Sequence, residues 1–306
     1  MRGWSLKRNW SVLDKERLTF GEEDHRCEVF IETDEGLLVP RAYEQFSHVS
    51  HDVNHGLPLR DGLLPISLRD EQKPAVAAVI DAVSLPSRGA ILFAPCGKGK
   101  TVMGLEMIRR MGRRALVLVH KSFLIEQWVE RAETFLPGAK VGIWQRDSIP
   151  TGDEDIVIGM VQSIVNPKRD YPDEMFDQFG GIVVDETHRY AAPSWQQAIS
   201  KFNCSYRIGL TATPERKDGL HDVFFMHIGP IVYWMEGHKR SPMIWRINTS
   251  TYFAPYRYQH SFSDQGVNTS KLITMLSKVE ERTDQIVGFA KRAVKKGRKI
   301  LILSER

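Results

Sequence analysis

The chain of 306 residues has only three cysteines, Cys27, Cys96 and Cys204, odd in number and widely scattered. They offer no disulfide framework and fit a reducing compartment. Long apolar runs are missing: the longest hydrophobic stretches are strand-length, which excludes a transmembrane helix. The opening Met1-Arg-Gly-Trp-Ser-Leu-Lys-Arg8 has no apolar signal core. Internal repeats and low-complexity stretches are absent too. The remaining composition, 42% hydrophobic and 26% charged, is that of a globular protein long enough for two domains.

Charge of one sign is scarce at the C-terminal end. Residues 237–306 carry 14 Lys/Arg and 5 Asp/Glu, a balance of +9; the remainder carries 28 and 33, a balance of −5. A basic segment fits a polyanion partner, although Lys291-Arg-Ala-Val-Lys-Lys-Gly-Arg-Lys299 also reads as a solvated helix face.

Two motifs carry chemistry. The run Ala94-Pro95-Cys96-Gly97-Lys98-Gly99-Lys100-Thr101 lies between an apolar strand, Ala90–Phe93, and a segment from Thr101 to Met111 with helical periodicity. Glycines let the backbone curl so that its N–H groups and the helix N-terminus face an anion. Lys100 is placed to reach β/γ phosphates and the Thr101 hydroxyl to hold Mg²⁺; Val102 closes the set. The alternative is an ordinary glycine-rich strand–helix turn. The second motif, Gly181-Ile-Val-Val-Asp185-Glu186, is a β-branched strand that delivers two acids at its C-terminal end, where α/β sheets bind ligands. Asp185 is expected to hold Mg²⁺ and Glu186 to polarise the attacking water. Together they imply an ATP site with Lys100, Asp185 and Glu186 as its catalytic groups.

Three parts follow along the chain. Residues 1–62 read as a small β-rich domain with strands at Leu18–Phe20, Cys27–Ile31 and Gly36–Val39. His48, His51 and His55 cluster there, without a familiar metal spacing, and a polar linker is the favoured account. Residues 63–236 alternate helix and strand as a parallel sheet demands: a helix over Leu68–Val83, a strand over Ala115–Val119, a helix over His120–Phe135, then strands at Asp155–Ile158 and Tyr206–Leu210. From 237 a new unit is expected, with a strand at Met243–Ile247, one long amphipathic helix over Ser270–Lys296 and a strand at Lys299–Leu303. The aromatics Trp128, Trp144, Trp195, Trp234 and Trp245 suit base stacking, and more often core packing.

The order of motifs resembles the superfamily 2 helicases and translocases. Leu68-Arg69-Asp-Glu-Gln72 resembles their adenine-reading element, with Gln72 toward the base and Arg69 beside it. Val117-Leu-Val-His120-Lys121-Ser122 and Ile158-Gly-Met-Val-Gln162-Ser163 resemble nucleic-acid backbone contacts. Asp185-Glu186-Thr187-His188 resembles a box of the DEAD/DEAH type, and Thr211-Ala212-Thr213 the triplet that couples ATP state to grip. Pro95-Cys-Gly-Lys-Gly-Lys-Thr101 is similar to the phosphate loop of XPB-like helicases. Thr213-Pro-Glu-Arg216-Lys217-Asp218 resembles their short Arg-Glu-Asp element, with Lys217 where Glu is expected. A β-rich piece before the motor also resembles the phage branch-migration helicases related to UvsW.

The resemblance implies an α/β fold: a RecA-like parallel sheet with helices on both faces, a small β-rich domain before it and the start of a second RecA-like lobe after it. It implies ATP and Mg²⁺ as cofactors and branched, forked or duplex DNA as partner, with RNA less favoured. A monomer in the cytoplasm, nucleoid or phage-infected cell is expected, or in the nucleus of a eukaryote, with no membrane contact. A double-strand translocase and a junction-binding fragment are the alternatives. The family's arginine fingers belong to the second lobe, so the rest of that lobe is expected beyond residue 306, and the chain alone is expected to hydrolyse ATP weakly.

Overall fold

The computed structural model describes residues 4–7, 15, 18–20, 27–42, 53–84, 89–187, 193–213, 221–237 and 269–303. They group into two compact units, Met1–His238 and Lys239–Arg306.

In the first unit, β1 (Trp4–Lys7), β2 (Thr19–Phe20), β3 (Cys27–Glu28), β4 (Ile31–Thr33) and β5 (Gly36–Pro40) form two small antiparallel sheets, β1-β5-β4 and β2-β3. The run expected to be one strand over Cys27–Ile31 is split, because Val29 turns inward and donates its N–H to the Leu18 carbonyl at 2.9 Å. Leu18, Val29, Leu37 and Val39 make a small core that closes on Val223. Arg41 then reaches into the larger part, donating to the Cys204 carbonyl at 2.6 Å and the Ser205 carbonyl at 3.3 Å.

After these strands the chain forms α1 (Lys73–Val83), β6 (Gly89–Phe93), α2 (Lys100–Met111), β7 (Ala115–Val119), α3 (Ser122–Phe135), β8 (Val141–Trp144) and β9 (Ile156–Met160). It continues with the short helices α4 (Val161–Ile164) and α5 (Asp173–Asp177), then β10 (Gly181–Asp185), α6 (Pro193–Ser200), β11 (Tyr206–Thr211), α7 (His221–His227) and β12 (Ile231–Trp234). Seven of these strands pair in the order β12-β6-β11-β10-β7-β9-β8, every neighbour parallel. Side chains alternate across the sheet, as a period of two requires. Ala115, Val117 and Val119 face a core shared with α1, α2 and α3; Leu116 and Leu118 face a second core. Ala198 and Ile199 of α6 and Phe224 of α7 fill that second core. Helices therefore cover both faces, as expected for this class.

The helix expected from Leu68 begins at Lys73 instead. Pro74 suits a first helical turn, and the residues before it form a turn of their own: the Gln72 N–H donates to the Arg69 carbonyl at 2.9 Å. Helix α3 likewise starts at Ser122, leaving His120 and Lys121 in the strand-to-helix turn.

In the second unit the single long helix is two, α8 (Thr269–Ser277) and α9 (Glu280–Lys295). Val279 is extended at φ −78° and ψ 107°, and Lys278 and Val279 close tight turns onto Met275 and Leu276. Glu280 and Glu281 open the first turn of α9, where the helix dipole favours acids. The strand expected at Lys299–Leu303 does not form among the described residues: this segment pairs with no described strand, and Leu301 and Leu303 are 80% and 83% exposed. The expected strand at Met243–Ile247 lies outside the described residues.

Candidate nucleotide site

Parallel pairing brings three strand ends to one edge. Asp185 is opposite Leu210, and Thr211 is opposite Phe93, so the acids, the Thr-Ala-Thr triplet and the glycine loop leave the sheet side by side. The Ala94 N–H donates to the Thr211 carbonyl at 2.9 Å and fixes the loop's entry.

Within the loop, Gly97 and Gly99 have φ of 82° and 81°, a left-handed backbone that suits glycine. Gly99 caps α2, whose N-terminus therefore opens toward the loop. A Cβ placed on Gly97 would meet no atom within 4 Å, so that side of the cradle is open. Lys100 spans the site: its Nζ lies 3.2 Å from the Ala94 carbonyl and 3.9 Å from Glu186 Oε1. Thr101 and Val102 follow in the first turn of α2, half-buried, and Cys96 is exposed.

Asp185 is buried and accepts a hydrogen bond from Trp128 Nε1 at 2.9 Å. Burial raises its pKa above the usual carboxylate value, and the neighbouring Glu186 adds to the rise; the Trp128 hydrogen bond and the Lys100 charge oppose it. Glu186 sits at φ 56°, a left-handed conformation that is uncommon outside glycine and concentrates at functional sites. The Thr187 hydroxyl is within bonding distance of the Val184 and Leu210 carbonyls, at 3.2 and 3.1 Å. A Cβ on Gly209 would lie 2.8 Å from the Thr187 hydroxyl, so glycine there makes room for it. In the triplet, the Thr213 N–H donates to the Thr211 hydroxyl at 3.1 Å; Thr211 is buried, Ala212 half-buried and Thr213 exposed.

These residues fit a magnesium–nucleotide group. The loop is open at Gly97, a lysine crosses it, and a buried carboxylate whose charge burial disfavours is a fitting ligand for a hard cation.

Other expected residues are placed differently. Gln72 is buried, its Nε2 donating to the Lys98 carbonyl at 2.8 Å and its Oε1 accepting the Arg69 N–H at 3.0 Å. Lys121, Ser122 and Gln162 are exposed beside the ends of paired strands β7 and β9, and His120 is half-buried next to Trp195. Ser163 is buried and accepts the Arg146 N–H at 3.0 Å, which commits its hydroxyl to the fold. His188, Arg216, His48 and His51 lie outside the described residues. His55 Nδ1 lies 2.8 Å from the Ser205 hydroxyl, and among the described residues no group of three or more His, Cys, Asp or Glu is arranged to hold a metal.

Trp128, Trp144 and Trp195 are interior, the core packing favoured for these aromatics; Trp234 alone of the described candidates is mainly exposed, tilted against Phe93 with ring centroids 4.7 Å apart. Phe123, 57% exposed in the first turn of α3, carried no signal beyond an aromatic after Lys121-Ser122.

A parallel sheet with this cradle, acid pair and triplet defines a RecA-like P-loop motor lobe. The family model described as the type III restriction enzyme res subunit matches residues 65–216. An Acanthamoeba polyphaga mimivirus protein, named as an ATP-dependent RNA helicase, is 30% identical over 260 residues, covering 83% of this chain and 49% of that protein. A protein of Sulfurisphaera tokodaii named DNA 3'-5' translocase XPB2 is 33% identical over 171 residues, covering 55% of this chain and 36% of that one. The UvsW helicase of bacteriophage T4 shares the fold with a TM-score of 0.54 at 16% identity, over 76% of this chain and 98% of that chain. Residues 65–216 thus carry a helicase-type domain, and the chain is similar to the superfamily 2 helicases and translocases. It spans about half the length, or less, of these curated relatives. Among the described residues no helix is long and apolar enough to cross a membrane.

Proposed function

We propose that the chain is the ATP-binding part of a DNA helicase or translocase that remodels branched or duplex DNA. The observation that carries this is Lys100, whose ammonium lies between the glycine cradle and Glu186. Bound Mg²⁺–ATP supplies a γ-phosphoryl group for transfer to water. Backbone N–H groups of Gly97 to Thr101 hold the phosphates, and Lys100 offsets charge developing on them. The Thr101 hydroxyl and Asp185 hold the cation. Glu186 orients water and accepts its proton. The contact from Ala94 to Thr211 and the one from Thr187 to Leu210 connect the nucleotide edge with the triplet, which supports its coupling role.

Residues 1–62 are read as a separate recognition domain and 237–306 as the opening of a second lobe. Because relatives are about twice as long or more, the 306 residues alone should hydrolyse ATP slowly. Lys100→Ala should abolish ATP turnover while leaving the melting temperature unchanged; undiminished hydrolysis would sink the assignment. Strand-displacement and triplex-displacement assays separate unwinding from double-strand translocation. The XPB-type relative favours DNA, and the mimivirus relative's name keeps RNA as a competitor. ATPase stimulation by matched DNA and RNA duplexes decides between them.

A further inference from the structure

We infer that Arg146 is a further DNA contact: an exposed guanidinium, carried on a left-handed turn at the end of β8, that takes one phosphate of a strand lying along the carboxyl edge of β7, β9 and β8. This rests on the reading of the chain as part of a DNA motor.

Arg146 and Glu186 are the only non-glycine residues with positive φ among the described residues, at 51° and 56°. Turn positions of this kind favour glycine or asparagine, and strained backbone elsewhere clusters at functional sites. Glu186 follows β10, at the candidate nucleotide site. Arg146 follows β8, three strands further along the same sheet.

The turn is fastened on both flanks and at its tip. Gln145 and Ser148 exchange both backbone hydrogen bonds, at 3.0 and 2.9 Å, leaving Arg146 and Asp147 between them. The Arg146 N–H donates to the buried Ser163 hydroxyl at 3.0 Å. Asp147 pairs with Arg169, which offsets its charge. Arg146 is exposed, and among the described residues its guanidinium forms no ion pair. A fixed turn that bears an uncompensated cation is preorganised for an anion.

The place of the turn on the sheet names the anion. Strands β7, β9 and β8 are parallel neighbours, with Val119 opposite Met160 and Trp144 opposite Gly159. Lys121, Gln162 and Arg146 are each the second residue past their strand, and all three are exposed. They form a row across two strand spacings, about 10 Å. A stacked DNA strand advances about 3.4 Å per nucleotide, so the row matches about three phosphates. Lys121 and Gln162 are the backbone contacts expected from the sequence, and Arg146 extends their row by one strand. Its forked donors suit a phosphate in two-pronged fashion, which a lysine cannot reproduce.

The test titrates a labelled single-stranded oligodeoxynucleotide with the 306-residue chain at several salt concentrations. Arg146→Gly removes the charge and suits the left-handed φ, so the melting temperature should not fall. It should lower the slope of log affinity against log salt by about 0.7, the contribution of one phosphate of a single strand. Arg146→Lys keeps the charge and should keep the slope. Lys140→Gln removes a positive charge just before β8, at the opposite end of the strand, and should leave the slope unchanged. Mg²⁺–ATP affinity should be the same in all three, because the phosphate loop follows β6, with four strands between it and β8. An unchanged slope in Arg146→Gly overturns the contact. So does an equal fall in Lys140→Gln, or a fall in Arg146→Lys as large as that in Arg146→Gly. If the unmutated chain binds no oligonucleotide even at low salt, the DNA-motor reading itself fails and the contact falls with it.

Discussion

The indole N–H of Trp128 donates to Asp185 Oδ2 at 2.9 Å, joining α3 to the acid end of β10. Burial pushes the Asp185 pKa up, and this hydrogen bond is the largest influence holding it down. Trp128→Phe keeps most of the ring and removes the donor, so the pKa should rise further. A protonated Asp185 cannot hold Mg²⁺. The acid limb of the ATPase pH–rate profile should therefore move to higher pH, and Mg²⁺ affinity should weaken most below neutrality. An unchanged profile would show that Trp128 only packs.

Gly104 makes that contact possible. A Cβ there would lie 2.8 Å from Trp128 Cη2 and 3.1 Å from Leu210 Cδ1. Alanine is the better helix former by about 1 kcal/mol, but overpacking costs about 1–3 kcal/mol. Gly104→Ala should therefore be neutral to destabilising by about 2 kcal/mol in chemical denaturation. In the Trp128→Phe background the smaller ring leaves room, and the same change should be harmless or stabilising. Equal effects in both backgrounds would contradict the proposed clash.

The residues of the candidate site were legible because their spacing is local. A strand, two glycines, Lys100-Thr101 and a helix form one continuous stretch, and Asp185-Glu186 ends a β-branched run, so periodicity and loop chemistry were enough. Their supports were not legible. Gln72 meets a carbonyl 26 residues away and Trp128 an acid 57 residues away. Such pairings depend on how α1 and α3 pack on the sheet, which no local pattern encodes. The break at Val279 was hidden for the opposite reason: the apolar period runs straight through it, and the extended residue is a backbone event. Strands β8 and β12 are short, four residues each, and edge the sheet, where alternation is weakest.

Glu106 gives the stability of the first unit a predictable pH dependence. It is buried on α2 and accepts hydrogen bonds from Arg109, Arg110 and the Ile66 N–H, tying residues 63–68 to the helix. Burial alone would raise its pKa; the two arginines and the Ile66 amide outweigh burial and lower it. A carboxylate with a depressed folded pKa adds stability above its unfolded pKa of about 4.3, and loses it as pH falls through the folded value. Glu106→Gln should cost about 1–2 kcal/mol at pH 7, and the difference from the parent chain should shrink on acidification toward about pH 3. A penalty that stays constant across that window would rule out an ionic origin.

Substitutions at Phe123 and Lys121 would tell two kinds of proposed nucleic-acid contact apart. Both are exposed in the turn from β7 into α3, with Lys121 Nζ 5.8 Å from the Phe123 ring centroid. A stacked aromatic contributes about 1–3 kcal/mol per base without releasing a counterion, whereas a lysine on a phosphate sets salt dependence. Phe123→Ala should weaken single-stranded DNA binding about tenfold and leave the slope of log affinity against log salt unchanged. Lys121→Ala should lower that slope by about 0.7. Anisotropy titrations of a labelled oligonucleotide at several salt concentrations measure both. Since Phe123 is 57% exposed, neither substitution disturbs the core. Unchanged affinity in Phe123→Ala would mean that the strand passes the ring by, and a reduced slope in that variant would mean that the ring acts only by placing Lys121.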